Sequence, residues 1–296
     1  MSLSKKAKDC WDTNLKKDSI GELVPCLVSS ESLSQKKDFS SDNKSKFQTL
    51  EVTTNENITK ITLNRPEKKN ALSYVMYDEI IQALKEAGED ESTITVVTGN
   101  GDYFSNGNDL NNLTEIKTFE KLKEDMNGFV SMFIDFPKPL IAVVNGPALG
   151  IAVTILGLFD TIYATDRATF QTPFVQLGLL PEGCSSYTFP IIMGPNKAKE
   201  MLLFNKKLTA VEACKWGLVT EVFPHSTFQK EVWTRLKAYA KLPKNCLVLS
   251  KQLIRGMHKE KLHATSTQEV EQIVKIWLSE EFKTATACLL KKKSKL

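Results

Sequence analysis

A single carboxylate, Glu182, lies in a long stretch of apolar, small and neutral polar residues between Arg167 and Lys197. It occupies the middle of a Pro-Glu-Gly sequence and is followed by three small residues. An unpaired carboxylate in a low-dielectric environment has a raised pKa, which suits a group that exchanges protons near neutral pH. A glutamate in such a turn can also point into water, so the local sequence leaves both a general base and an exposed turn residue open.

Two glycine-containing segments could supply backbone N–H groups to a developing negative charge. The first is F-S-N-G-N-D-L (104–110), where a strand end meets Gly107. The second is V-N-G-P-A-L-G (144–150), where a buried strand stops and Gly150 begins an uncharged helix. The first N–H groups of a helix have no internal partner and suit an anion. Taken alone, the first segment is equally a plain turn and the second equally tight core packing. No Gly-Lys-Ser/Thr follows, so neither is a phosphate loop.

Composition limits the class of protein. The 296 residues are 42% hydrophobic and 25% charged with a net charge of +4, an ordinary globular composition without a basic block among aromatics. This argues against nucleic acid as a partner. The six cysteines are scattered without Cys-x-x-Cys, and the three histidines do not cluster. We therefore expect a reducing compartment and no metal site.

Targeting signals point to one compartment. The N-terminus lacks the apolar stretch of a signal peptide, and the apolar segment 140–159 is broken by Asn145-Gly146-Pro147. The sequence therefore predicts a soluble protein without a membrane span. The chain ends in Ser294-Lys295-Leu296, the tripeptide read by the peroxisomal import receptor at a free C-terminus. This predicts import into the peroxisomal matrix, with the import receptor as a partner.

The positioning elements begin after a polar segment. Residues 1–46 are rich in Ser, Lys and Asp and are predicted to be mostly disordered. Alternating residues around Asn55-Glu56-Asn57 predict a hairpin over 50–64. A helix capped by Ser73 is predicted over 73–87, with strands at 93–98 and 139–145, a helix at 119–135 and another beginning near Gly150. This alternation indicates an α/β fold with parallel or mixed sheets.

After about residue 196 helices dominate the prediction. They are expected at 197–204, 209–215, 226–241, 243–256 and 266–280, with a short strand at 218–223.

The ordered motifs resemble the crotonase (enoyl-CoA hydratase/isomerase) superfamily. The order is R-P-E-K-K-N-A-L (65–72), the two glycine segments above, and T-P-F-V-Q-L-G-L-L-P-E-G (172–183). The resemblance covers residues 47–290 and is greatest to the peroxisomal Δ3,Δ2-enoyl-CoA isomerases. It implies a ββα spiral core over 47–245, C-terminal trimerisation helices over 246–290 and a basic targeting tail over 291–296. The resemblance does not decide between a trimer and a hexamer formed by two trimers. Residues 1–46 resemble the last part of an acyl-CoA-binding domain, too short to form that module.

The resemblance also implies residue roles. Its members hold the carbonyl oxygen of an acyl-CoA thioester between two backbone N–H groups, which by position are those of Asn108 and Ile151. Neither a cofactor nor a metal is implied, since CoA is part of the substrate. The implied substrate-binding residues are Lys68, Ala71, Leu72, Asn106, Gly107, Asn108, Asp109, Leu110 and Gly150.

The carboxylates select the reaction that the resemblance implies. Superfamily hydratases use two glutamates, at positions held here by Thr154 and Phe174. Glu182 remains, which implies an isomerase of fatty-acid β-oxidation that moves one proton from carbon to carbon in a dry pocket. A catalytically weak acyl-CoA-binding homologue, a dienoyl-CoA isomerase and a hydratase are the alternatives. A serine hydrolase on a related fold is disfavoured, since no triad pattern is present.

Overall fold

In a computed structural model, which describes residues 46–109, 111–112, 118–280 and 282, a six-stranded sheet forms the centre of the fold. The order across the sheet is β1-β2-β3-β4-β6-β9, with β1 and β2 antiparallel and all other neighbours parallel. The strands are β1 (Leu50–Asn55), β2 (Ile58–Leu63), β3 (Ile94–Gly99), β4 (Leu140–Val144), β6 (Thr161–Thr165) and β9 (Glu221–Phe223).

The first two strands form the predicted hairpin. Glu56 and Asn57 connect them in left-handed conformations, with φ of 49° and 61°. Two consecutive residues at positive φ match the right-handed twist of the flanking strands. The prediction from alternation around Asn55-Glu56-Asn57 is confirmed.

A smaller sheet lies beside the main one. It contains β5 (Ala148–Leu149), β7 (Thr169–Gln171) and β8 (Leu208–Thr209), and Ser105 pairs with Ala148 at its edge. The chain runs from β4 through β5 into the short helix α3 (Ile151–Thr154), and from β6 through β7 to α4 (Ser185–Met193). This repeat of long strand, short strand and helix is the ββα arrangement that the resemblance implies.

Both faces of the main sheet are buried, as expected for parallel strands covered by helices. On β4, Leu140, Ala142 and Val144 face one core cluster, whereas Ile141 and Val143 face a second. The first cluster contains residues of α1 (Tyr74–Glu89), α2 (Phe119–Asp135), α3, α4, α5 (Pro195–Phe204) and α6 (Ala210–Lys215). The second is closed by α7 (Phe228–Tyr239).

Side-chain caps fix where several helices begin. The Ser73 hydroxyl accepts a hydrogen bond from the N–H of Met76 at 3.3 Å, which confirms the predicted cap of α1. Thr209 and Glu212 form a reciprocal capping box at α6. The helix α2 has the predicted bounds.

The end of the chain differs from the prediction. Two helices were expected at 243–256 and 266–280, but one continuous helix, α8 (Lys244–Trp277), spans both. Gly256 weakens a helix by only about 1 kcal/mol, and both halves are anchored. The Lys251 ammonium lies 2.7 Å from an Asp160 oxygen, and Leu262 and Val270 are buried.

Some predictions fall outside the described residues. They are the disorder of residues 1–45, the substrate contact of Leu110 and the targeting tripeptide Ser294, Lys295 and Leu296. In the described part of the chain, no helix has the length and apolar character needed to cross a bilayer. The same residues contain no group of three His, Cys, Asp or Glu side chains placed to hold a metal ion.

Candidate active site

The Glu182 side chain is buried and unpaired. Its residue is 9% exposed, and its carboxylate has no hydrogen bond or ion pair with the residues that the structure describes. Burial first, and then the negative charge of Glu269, raise the pKa of Glu182 to about 8. The reading of Glu182 as an exposed turn residue is therefore wrong. The carboxyl group has the environment of a proton carrier that works near neutral pH.

Gly183, the residue after this glutamate, packs closely against α3. It has a φ of +67°, and a Cβ added there would lie 2.7 Å from the Thr154 hydroxyl oxygen and 3.1 Å from the Cδ1 of Ile151. Only a residue without a side chain allows that approach. The Pro-Glu-Gly sequence therefore packs the residue after Glu182 against α3, whose first residue is Ile151.

Two backbone N–H groups are free in the segments that contain Gly107 and Gly150. Among the hydrogen bonds of the described residues, neither the N–H of Asn108 nor that of Ile151 has an acceptor. Ile151 is the first residue of α3, where a helix leaves its N–H groups without internal partners. Since α3 has four residues, the N–H itself and not a helix dipole is what this segment offers.

Gly107 packs the two segments against each other. Its φ is +74°, and an added Cβ would lie 2.7 Å from the carbonyl oxygen of Leu149 and 3.6 Å from the Cα of Gly150. The residues that carry the two free N–H groups each follow one of these glycines. Asn108 and Ile151, which the resemblance assigns to an oxyanion hole, thus follow two glycines that lie next to each other.

A network of backbone contacts holds the Gly107 segment. The Ser105 hydroxyl donates to the carbonyl of Asn70 at 2.7 Å and accepts from the N–H of Gly107 at 3.1 Å. Leu72 donates its N–H to the carbonyl of Gly107 at 2.8 Å and accepts from the N–H of Asp109 at 3.0 Å. Ser105 and Asn70 were not selected from the sequence, because small polar residues in loops carry no distinctive local signal.

Asp109 was predicted to bind substrate, but its carboxylate forms an ion pair within the protein. Its carboxylate lies 3.1 Å from the Arg65 guanidinium, which also donates to the carbonyl of Ala71 at 2.7 Å. The two side chains are 10% and 18% exposed. Removing one member of a buried pair leaves an uncompensated charge. The pair ties the 65–72 segment to the end of the Gly107 segment.

Tyr77 is a further residue at the site. Its hydroxyl donates to the side-chain oxygen of Asn108 at 2.6 Å, and its ring packs edge-on against Phe129 at 4.5 Å. Burial first, and then the charge of Glu182, raise the pKa of Tyr77 well above its usual value. Tyr77 therefore stays protonated between Asn108 and Glu182. The sequence analysis did not select Tyr77, although it lies within the helix predicted from the periodicity of α1.

The other predicted residues take different positions. Lys68 and Asn106 are exposed, whereas Ala71 and Leu72 are buried in the segment that pairs with Asn108. The hydratase glutamate positions carry no carboxylate. Thr154 is fully buried, and a Cβ on Gly150 would lie 3.9 Å from the Phe174 ring. Neither position therefore supplies an acid.

We expect Glu182→Gln to stabilise the protein in a pH-dependent way. The folded-state pKa, about 8, is above the usual value of 4.5, so the folded protein holds this proton where the unfolded chain has lost it. The wild type therefore loses stability as the pH rises from about 4.5 to about 8, and the variant does not. The variant's gain in unfolding free energy should grow by up to about 1.4 kcal/mol per pH unit over this interval. Denaturant titrations from pH 5 to 8 measure it.

The control for this measurement is Glu271→Gln, which changes an exposed glutamate on α8. Its stability should follow the wild type at every pH. A Glu182→Gln gain that is constant with pH would contradict the raised pKa.

Comparison with known proteins gives consistent results. A family model described as enoyl-CoA hydratase/isomerase matches residues 53–295. The chain is 57% identical to enoyl-CoA delta isomerase 2 of Homo sapiens, over 99% of this chain and 78% of that protein. It is 54% identical to "Enoyl-CoA delta isomerase 3, peroxisomal" of Mus musculus, over 93% and 88%. A crystal structure of an enoyl-CoA hydratase/isomerase from Pseudoalteromonas atlantica T6c superposes with a TM-score of 0.78 at 33% identity, covering 83% of this chain and 98% of that one.

Proposed function

Because the chain belongs to the enoyl-CoA hydratase/isomerase family, we propose that it is a Δ3,Δ2-enoyl-CoA isomerase acting through one glutamate. The observation that carries the proposal is the buried, unpaired Glu182, whose neighbour Gly183 packs against α3, together with the free N–H groups of Asn108 and Ile151. The names of the human and mouse relatives, which are enoyl-CoA delta isomerases, support it.

The reaction is a proton transfer within one substrate. The Glu182 carboxylate removes a proton from C2, which lies between the thioester and the 3,4-double bond. The electron pair of the C–H bond moves into a dienolate whose oxygen accepts hydrogen bonds from Asn108 and Ile151. The same carboxyl group then returns the proton to C4, giving the conjugated 2-enoyl thioester. Protons and electrons balance within the substrate and Glu182, so the step as written uses neither cofactor nor metal.

The geometry favours this reaction over hydration. Hydration needs acid–base groups that position and activate water, and the two superfamily positions for them are Thr154 and Phe174. A dienoyl-CoA isomerase would want a second acid facing the substrate. The neighbouring carboxylate of Glu269 accepts hydrogen bonds from Cys184 and Ser186 and so is not free for that role.

Ultraviolet absorbance tests the proposal directly. Conversion of a 3-enoyl-CoA to the conjugated 2-enoyl-CoA raises the absorbance of the thioester, and we expect that rise on adding the protein. Loss of absorbance with a 2-enoyl-CoA would instead identify a hydratase. Acyl-CoA binding without any change in either assay would identify a catalytically weak homologue.

We propose that the protein assembles as a homotrimer through α8 and neighbouring surfaces. An apolar stripe on α8 is exposed, with Leu253 at 78%, Ile254 at 74% and Met257 at 87%. An apolar stripe this exposed marks an interaction surface.

The charged double variant Leu253→Asp/Met257→Asp is expected to lower the assembly mass in sedimentation to that of one chain. Gln252→Asp, on an exposed position beside the stripe, should leave the mass unchanged. A double variant with wild-type mass would contradict this interface.

We propose a peroxisomal location. The mouse relative is named peroxisomal, and this sequence carries Ser294-Lys295-Leu296. An N-terminal fluorescent fusion should localise to peroxisomes and become diffuse when the tripeptide is removed. A fusion whose distribution is unaffected by the removal would contradict import through this signal.

A further inference from the structure

Glu269 is a buried carboxylate that lies against the turn carrying Glu182. It comes from α8 and is 7% exposed. One of its oxygens accepts from the N–H of Cys184 at 2.8 Å, and the other accepts from the N–H of Ser186 at 2.9 Å and from its hydroxyl at 2.5 Å. Three hydrogen bonds thus join α8 to Cys184, the residue after Gly183, and to Ser186 in the first turn of α4.

These contacts replace a local cap. Cys184 has a left-handed φ of 63° and supplies no side-chain acceptor to the first turn of α4. Its thiol instead donates to the carbonyl of Leu262 on α8 at 3.3 Å. The turn between Glu182 and α4 is therefore held by two residues of α8, Leu262 and Glu269, which lie 78 and 85 positions after Cys184.

The charge of Glu269 also acts on the base. Among the ion pairs of the described residues none includes Glu269. Its negative charge contributes to the raised pKa of Glu182, after burial, and burial raises its own pKa. Tyr77 on α1 also interacts with Glu182, and Tyr74 acts in turn on Tyr77.

The Cys184 thiol is affected by both Glu269 and Arg255. Burial first, and then Glu269, raise the pKa of the Cys184 thiol to about 12, whereas Arg255 acts in the opposite direction. Arg255 itself lies 3.5 Å from an Asp160 oxygen and donates to the carbonyl of Leu158. The Arg255 guanidinium is therefore engaged with other acceptors.

We propose that Glu269 is a positioning residue for the catalytic base: its carboxylate clamps the Cys184–Ser186 turn and thereby fixes the position of Glu182. This inference rests on the proposed isomerase function. It assigns a second role to α8, which the sequence associated with assembly alone. Glu269, which raises the pKa of Glu182 and holds its turn, then comes from a distant part of the chain.

The test compares Glu269→Gln, Glu269→Asp and the exposed control Glu271→Gln. Glutamine keeps the size but loses the charge and one acceptor, so we expect kcat to fall about 10- to 100-fold, as for a small misplacement of a catalytic group. The acidic limb of the kcat/KM profile should move to lower pH, because a like charge near Glu182 is gone. The Kd of a saturated acyl-CoA should stay within about twofold. The control should match the wild type.

Glu269→Asp separates the effect of side-chain length from the effect of charge. It keeps the charge and shortens the side chain, so kcat should fall while the acidic limb moves less than in Glu269→Gln. If Glu269→Gln does not fold, Ser186→Ala removes one donor of the clamp at an exposed residue. That variant should lower kcat about fivefold, the effect of one hydrogen bond.

The outcomes are distinct. An active wild type together with an equally active Glu269→Gln, or with an equally active Ser186→Ala where Glu269→Gln does not fold, overturns the inference. So does a loss of kcat with an unmoved acidic limb and a parallel loss of acyl-CoA binding, which a purely structural role would give. A wild type that leaves 3-enoyl-CoA unchanged overturns the proposed function instead.

Discussion

Glu182→Gln is expected to lower the rate of 3-enoyl-CoA isomerisation about 100- to 10,000-fold, the range for loss of a general base. Glutamine fills the same buried space but accepts no proton, so neither removal at C2 nor return at C4 proceeds through it. The free N–H groups of Asn108 and Ile151 remain. The Kd of a saturated acyl-CoA, measured by calorimetry, should therefore stay within about twofold of the wild type.

Two further variants sharpen this result. Glu182→Asp keeps the charge but withdraws the carboxylate by one methylene, and a misplacement of that size costs about 100-fold. Glu271→Gln, an exposed glutamate of α8, should turn over like the wild type. Wild-type-like turnover by Glu182→Gln would show that the proton carrier is another group.

The parts of the site that local sequence determines were predictable. The hairpin follows from alternation, α1 from its period and its Ser73 cap, and the donor segments from Gly107 and Gly150. Each of these features depends on a few consecutive residues. Their convergence was predictable only from the ordered set of motifs, because no single segment specifies what packs against it.

The parts that depend on distant residues were missed. The sequence around Glu182 is uncharged, yet Glu269 lies close enough to affect its pKa. The available signal was on α8, where Glu269 occupies the buried helical face with Ser266, Val270 and Ile273. A glutamate on such a face needs partners, but nothing in the period of α8 says that they are Cys184 and Ser186.

The error in α8 has a related cause. The sequence predicts two helices on either side of the segment 257–265, but α8 continues through it. Tertiary contacts determine whether a helix continues through a segment of weak helix propensity. Lys251 and Arg255 bind groups at Leu158 and Asp160, and Leu262 packs in the core, so the helix continues between them.

Gly107→Ala is the second substitution expected to have a large effect, through the oxyanion-binding N–H groups. Its Cβ would lie 2.7 Å from the carbonyl oxygen of Leu149, which is backbone and has no flexible end to move. The Gly107 segment must therefore shift away from Gly150, which separates the N–H of Asn108 from that of Ile151. Loss of one such donor lowers kcat about 100- to 1,000-fold, which steady-state absorbance measurements would detect.

Gly194→Ala separates this geometric effect from the backbone cost. Gly194 has a φ of +79°, close to the +74° of Gly107, but nothing lies within 4 Å of an added Cβ there. Alanine is strained at both positive φ values, and the ψ of 152° at Gly194 lies in a region almost restricted to glycine, so both variants should unfold at lower denaturant concentration. Only Gly107→Ala should lose activity in its folded form. Equal kcat values for the two folded variants would mean that the close contact of Gly107 with Leu149 does not hold the donor that the dienolate needs.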